Sequence, residues 1–173
     1  AIKMATEHLR TNKFRCNGIM YWQLNDCWPG LSCSSVDYNY GLKALHYFSK
    51  KFFAPHLITA KETGDSLVVS VANDTPQPAA YQVLYRYMDF AGNVLDEKRL
   101  TAAVEKTADM DVLEIPTPFG ADAADKLVYV QLTDMDGNFL SENFYQHCSD
   151  KDISYPKANI TVKAIDAYTV EVV

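Results

Sequence analysis

Trp22, Asn25, Asp26 and Trp28 fall together in the stretch Tyr21-Trp22-Gln23-Leu24-Asn25-Asp26-Cys27-Trp28-Pro29-Gly30. Tryptophan beside Asn and Asp is the composition of a sugar site. An indole face can cover the apolar C–H side of a pyranose, while Asn and Asp hydrogen-bond its hydroxyls. The same residues also fit plain packing, with Trp22 and Trp28 in a core and Asp26 capping a turn. Glycosidic hydrolysis needs two carboxyl groups, one acting as acid and one as base or nucleophile. The nearest pair here is Asp26 and Asp37, although loop aspartates more often form turns. Ser34 or Ser35 could be paired with His46 as nucleophile and base, but no G-x-S-x-G elbow surrounds them. The sequence contains neither G-x-x-x-x-G-K nor G-x-G-x-x-G, so nucleotide binding has no support. Its four histidines (His8, His46, His56, His147) make no H-x-x-x-H pair, and no metal site or cofactor is expected.

The elements that must position these residues differ in texture along the chain. Ile2, Ala5 and Leu9 recur at helical spacing, as do Leu42, Leu45, Phe48 and Phe52, with Pro55 closing the second series. Between them, the nearly continuous apolar run Gly18–Leu24 predicts a strand buried on both faces. A long aperiodic loop follows, over residues 25–41. Helix, buried strand, loop and helix make one βα unit with the preceding helix attached.

From about residue 54 the period changes to that of strands. Leu67–Val71, Tyr81–Tyr87 and Leu127–Leu132 are β-rich runs, separated by turn signals at Gly64, Asp74-Thr75-Pro76, Gly92-Asn93 and Gly137-Asn138. The hairpin Asp89-x-x-Gly92-Asn93-x-Leu95 recurs as Asp134-x-x-Gly137-Asn138-x-Leu140, the same turn chemistry used twice. This spacing predicts an antiparallel β-sandwich of immunoglobulin type over residues 54–152. Tyr81, Tyr85 and Tyr87 share one face of a strand, an arrangement more typical of cross-strand pairs than of a sugar platform. Residues 153–173 read as the opening hairpin of a further β domain. Ala1 follows no initiator Met and the chain ends in mid-strand on Glu171-Val172-Val173, so a fragment at both ends is expected.

Composition narrows the function classes. The chain has 173 residues, is 48% hydrophobic and carries a net charge of −6 without a basic cluster. Nucleic acid and anionic membrane surfaces are therefore poor partners, and no apolar run is long enough to insert in a membrane. Cys16, Cys27, Cys33 and Cys148 match no zinc or redox spacing. Cys27 and Cys33 share a loop and could bridge, though free thiols fit better. Asn73-Asp74-Thr75 and Asn159-Ile160-Thr161 match glycosylation sequons.

The series beginning at Tyr21-Trp22-Gln23-Leu24-Asn25-Asp26 continues through Ser34-Ser35-Val36-Asp37-Tyr38, Lys43-Ala44-Leu45-His46-Tyr47 and Phe52-Phe53-Ala54-Pro55. Over residues 16–56 it resembles the β-mannosidases of glycoside hydrolase family 2. Where many relatives carry Trp, this chain has Cys33. The resemblance implies that residues 1–53 are the end of a (β/α)₈ barrel, supplying its last strand, loop and helix, and that immunoglobulin-like domains follow. It implies hydrolysis of terminal non-reducing β-mannose with retention, by two glutamates on earlier barrel strands and without a metal. No catalytic residue is then expected in this chain, whose partners would be the upstream barrel and a mannose-containing oligosaccharide or glycan. Trp22 would be a platform beneath the sugar ring. Asn25, Asp26 and Trp28 would be substrate contacts or braces of the loop. The compartment would be extracytoplasmic for a bacterial source and lysosomal for an animal one. Two alternatives stand beside this reading: a non-catalytic carbohydrate-binding or spacer sandwich, and a sister family 2 specificity such as exo-β-glucosaminidase.

Overall fold

In the computed structural model, which describes residues 1–120, 123–157 and 159–173, the chain is mainly β. Two short helices come first, α1 (Ile2–Arg10) and α2 (Ala44–Phe52). The strands are β1 (His56–Thr63), β2 (Ser66–Asn73), β3 (Ala79–Asp89), β4 (Val94–Val104), β5 (Ala108–Pro116), β6 (Lys126–Thr133), β7 (Phe139–Tyr145), β8 (Val162–Ala164) and β9 (Val170–Val172).

The first seven strands form two antiparallel sheets, ordered β1-β2-β5 and β4-β3-β6-β7. Alternation places their side chains. On β3, Tyr81, Val83 and Tyr85 point inward, at 2% exposure or less, while their sequence neighbours face out. They meet Ile58, Leu67, Val69 and Val71 of the first sheet and Val128, Val130 and Leu132 of β6 in one core. This is the immunoglobulin-like sandwich that the alternation predicts. Tyr81 and Tyr85 are core residues, and no sugar can reach them. Burial pushes the Tyr81 hydroxyl up to about 12, and it shares a 2.8 Å hydrogen bond with His56 Nδ1.

The repeated turn motif is one structure built twice. Asp89 Oδ1 accepts from the backbone N–H of Ala91 and Asn93, and its Oδ2 from Asn93 Nδ2. Asp134 does the same with Asp136 and Asn138. Gly92 and Gly137 supply the positive φ, +91° and +87°, that closes each loop.

Side chains stitch the two sheets along the β1–β7 edge. Asn143 Nδ2 donates to Ile58 O at 3.1 Å, and Ile58 N–H donates to Ser141 Oγ at 3.3 Å. Asn143 also reaches α1, accepting from Lys3 Nζ at 2.6 Å and donating to Glu7 Oε1 at 2.9 Å. A second anchor holds α1 at the β2–β3 turn. Arg10, 9% exposed, directs Nε and Nη2 at Asp74 Oδ2, at 3.0 and 2.5 Å, and Nη1 at Phe52 O. Lys13 also pairs with Asp74. Residues 1–53 therefore dock on the sandwich through charged and polar side chains.

The structure corrects one element. Gly18–Leu24 forms no strand among the described residues, and Met20, Trp22 and Leu24 are exposed. A parallel strand buried on both faces needs a partner on each side, and no described strand flanks this run. Its carbonyls turn instead to the loop that follows: Gln23 O accepts from Ser35 N–H, and Leu24 O from the N–H of Ser35 and Val36. At the other end, β8 and β9 pair as an exposed two-stranded hairpin, as the alternation of residues 160–173 predicts.

The Asn73 sequon is used internally. Asn73 is fully buried, and its amide donates to Gln77 O, Val104 O and Glu105 O while accepting from Thr75. Asn159 lies exposed.

Candidate functional site

The loop after residue 24 is short of regular structure but dense in side-chain bonds. Its frame is a set of backbone pairings. Asp26 N–H donates to Val36 O at 3.0 Å, Asp37 N–H to Gly41 O at 2.9 Å, and Lys43 N–H to Ser35 O at 2.9 Å. Isolated bridges join Asn25 to Val36 and Val36 to Leu42. Asp37 forms the tight turn at its far end, accepting from the N–H of Asn39 and Gly41. A Cβ on Gly41 would lie 2.5 Å from Asp37 Oδ2, so a larger residue there would push the Asp37 carboxylate aside.

Asp26 is the centre of this frame. Its carboxylate is buried, paired with Lys43 Nζ at 2.8 Å and bonded by the Ser32 hydroxyl. Lys43 also reaches Ser34 Oγ at 2.8 Å. The Lys43 hydrogen bond, then the one from Ser32, hold the Asp26 carboxyl at about 2, below the ordinary carboxylate range and against the opposing effect of burial. Ser34 and Ser35 are equally committed. Ser34 Oγ donates to Val36 O, while Ser35 Oγ donates to Leu24 O and accepts from Tyr21 OH. Tyr21 in turn stacks on Phe53, with ring centroids 6.2 Å apart.

These bonds decide between the chemistries that the sequence leaves open. Asp26 is ionised and locked in a cationic cradle, whereas a general acid needs a raised pKa. Asp37 is spent on its turn. The two carboxylates have separate structural work and do not form an acid–base pair. The Ser34 and Ser35 hydroxyls donate to backbone carbonyls, and no hydrogen bond links either to His46 among the described residues.

Against this braced floor the tryptophans stand free. Trp22 is 84% exposed and Trp28 71% exposed, and the Trp22–Gln23 peptide is cis. Asn25 is exposed too, its Nδ2 donating to Asp26 O at 3.2 Å. Tyr38 and Tyr40 add further exposed rings. Of the four residues singled out in the sequence, Asp26 points inward as a brace, and Trp22, Asn25 and Trp28 present surface. Cys27 and Cys33 are exposed free thiols.

Lys43 stands within the resembling series, but the sequence gives it no role, because its partner lies well upstream. One signal could have found it: between Arg15 and Lys43 the only charged residues are Asp26 and Asp37. A carboxylate buried in that stretch has Lys43 as the next cation along the chain. Among the described residues no group of three His, Cys, Asp or Glu side chains could hold a metal ion, and no helix is long and apolar enough to cross a membrane.

Parts of the chain are similar to known proteins. The β-mannosidase of Capra hircus is 46% identical over 59 residues, 34% of this chain and 7% of that protein. That of Mus musculus is 52% identical over 40 residues, 23% of this chain and 5% of that protein. The crystal structure of a β-D-mannosidase from Dictyoglomus thermophilum matches with a TM-score of 0.84 at 28% identity, covering 95% of this chain and 20% of that one. An exo-chitosanase from Amycolatopsis orientalis shares the fold, with a TM-score of 0.70 at 22% identity, over 99% of this chain and 20% of its own. The aligned regions thus span a small part of the curated relatives' length. Residues 65–152, β2 to the end of the sandwich, match the family described as the Mannosidase Ig/CBM-like domain, and the chain belongs to that family.

Proposed function

We propose that this chain is part of a retaining exo-β-mannosidase of glycoside hydrolase family 2, acting on terminal non-reducing β-mannose of oligosaccharides or glycans. Residues 1–53 form the end of its barrel, and Trp22 supplies one wall of the mannose subsite as a platform beneath the ring. Asn25 and Trp28 contribute contacts beside it, and Asp26 holds the loop. Residues 54–152 are a scaffold, and residues 153–173 open a further β domain.

The observation that carries this reading is the pair of exposed tryptophans on a loop braced from below. Their flat indole faces suit a pyranose, and type rather than exposure sets them apart, since Met20 and Leu31 on the same stretch are just as exposed. Relatives named β-mannosidase supply the substrate class. The acid and nucleophile come from elsewhere in the parent, since Asp26 and Asp37 are both committed.

The test uses 4-nitrophenyl β-D-mannopyranoside. The intact parent is expected to hydrolyse it and this chain alone to be inert. Trp22→Ala in the parent should lower kcat/KM by about 5–150-fold, the scale of ~1–3 kcal/mol for stacking on an aromatic ring. An unchanged kcat/KM would remove Trp22 from the subsite, and turnover by the isolated chain would overturn the assignment of the catalytic groups elsewhere. The spacer reading of the sandwich is favoured over a sugar-binding one by the inward burial of Tyr81 and Tyr85.

A further inference from the structure

The excursion over residues 27–33, which carries Trp28, has two feet, Asp26 and Ser34, and one side chain touches both. Lys43 Nζ lies 2.8 Å from Asp26 Oδ2 and 2.8 Å from Ser34 Oγ. The ammonium also meets Ser32 Oγ at 3.2 Å, and Ser32 bonds Asp26 in turn. Lys43 is itself anchored, because its N–H donates to Ser35 O and its residue leads directly into α2. On the other side, Asp26 is fixed by its N–H to Val36 O, and Leu24, two residues after Trp22, accepts from Val36 N–H. A single cation thus connects α2, both feet of the Trp28 excursion and the segment that carries Trp22. No other cation lies between Arg15 and Lys43 to replace it.

We propose that Lys43 is a positioning residue: by stapling Asp26 to Ser34 it fixes Trp22 and Trp28 in the orientation that receives the sugar. The proposal rests on the subsite reading above, and it assigns Lys43 no contact with substrate. Without the ammonium, Asp26 keeps a buried charge with only serine hydroxyls as partners, and the cradle must open to admit water. The indoles then sample orientations that do not stack on substrate, which costs turnover more than binding.

The chain provides its own reporter, since Trp22 and Trp28 are its only tryptophans. Time-resolved fluorescence anisotropy of the 173-residue chain, in Trp22→Phe and Trp28→Phe backgrounds, reads the motion of each indole separately on the nanosecond scale. Lys43→Met is expected to raise the amplitude of fast depolarisation at Trp28. Lys43→Arg, which keeps the charge, should stay near the unsubstituted chain. Asp26→Asn should reproduce Lys43→Met, and the double variant should be no worse than either single one, as members of one network behave. Circular dichroism of the sandwich strands checks that each variant is folded. In the parent, Lys43→Met should reduce kcat/KM by about 10–100-fold, chiefly through kcat, with Lys43→Arg recovering most of it.

Unchanged anisotropy in both Lys43→Met and Asp26→Asn would overturn the proposal, as would additive losses in the double variant. Looser tryptophans with unaltered kcat would also overturn it, because the staple would then have no bearing on the reaction. A parent inert towards β-mannosides would instead defeat the functional reading, and the anisotropy measurement would still decide whether Lys43 holds the loop.

Discussion

Asp74→Ala should loosen the C-terminal end of α1, leaving its other anchor at Asn143 in place. Arg10 is 9% exposed and makes both of its lateral bonds to one oxygen of Asp74, at 3.0 and 2.5 Å, with Lys13 on the other oxygen. Burial lowers the pKa of Arg10, and also that of Lys13, where Arg10 adds to the effect. Two cations therefore share one carboxylate, and removing it leaves both repelling each other at a partly dry site. Breaking a fully buried pair costs ~3–5 kcal/mol, and an exposed one ~0–1 kcal/mol. The Asp74 side chain is 36% exposed, so water can partly replace it, and a loss of about 2 kcal/mol follows from lying between those limits. For a chain of this size that is a fall in Tm of roughly 4–8 °C. Thermal unfolding followed by circular dichroism measures it, and most of the loss should survive 0.5 M NaCl (about 4 Å screening length), since buried pairs are weakly screened. Arg10→Met leaves Asp74 with Lys13 and water but strips the buried Phe52 O of its donor, so it should cost about as much as Asp74→Ala. The double variant should recover part of the loss. A Tm change within about 1 °C, or strict additivity, would refute the reasoning and reduce the contact to a surface ion pair.

Four further outcomes can be checked on the same chain. Asn73→Ala strips partners from three carbonyls at a fully buried position and should lower stability in urea by about 2–3 kcal/mol, on the scale of buried unmet groups. Gly137→Ala forces a side chain onto φ +87° and should cost about 1–2 kcal/mol by the same urea measurement, whereas Gly120→Ala, where no positive φ is required, should cost less. Glu62 is pulled up by burial but pulled down further by hydrogen bonds from Thr117, His147 and Tyr145, so its carboxyl lies below the ordinary 4.5. Its stabilisation is complete above pH 4.5 and fades as pH falls through the folded pKa, so Glu62→Gln should flatten the acid limb of the stability curve. Glu7 is raised by burial, giving the opposite sign: its stabilisation is lost as pH climbs past 4.5 through the folded value, and Glu7→Gln should remove that slope.

The sandwich was legible because its information is local. Alternation in Tyr81–Tyr87 assigns core and surface, and Asp89 with Gly92 or Asp134 with Gly137 carries the whole turn within a few residues. The apolar run at residues 18–24 misled for the complementary reason. Periodicity reports what a segment can bury, and a strand also needs neighbours, which residues 18–24 lack here. The site was half legible. Trp22 and Trp28 stood out by type, and the fate of Asp26 did not, because its partner Lys43 is 17 residues away and reaches it only through the fold. The Glu62 cluster is more distant still: its tyrosine lies 83 residues on and its histidine 85, beyond any pattern visible in a window of sequence.

The seam at Asn143 has a consequence for solubility. An edge strand offers a row of free amides and carbonyls on which another chain can build a sheet. At the β1–β7 edge those of Ile58 are already taken, by an amide and a hydroxyl that imitate a neighbouring strand without being one. The side chain of Asn143 thus serves as a stopper for lateral growth, and Lys3 and Glu7 hold it in place from α1. Helix and sheet edge are protected together, so a chain that loses its first helix should be prone to self-association as well as less stable.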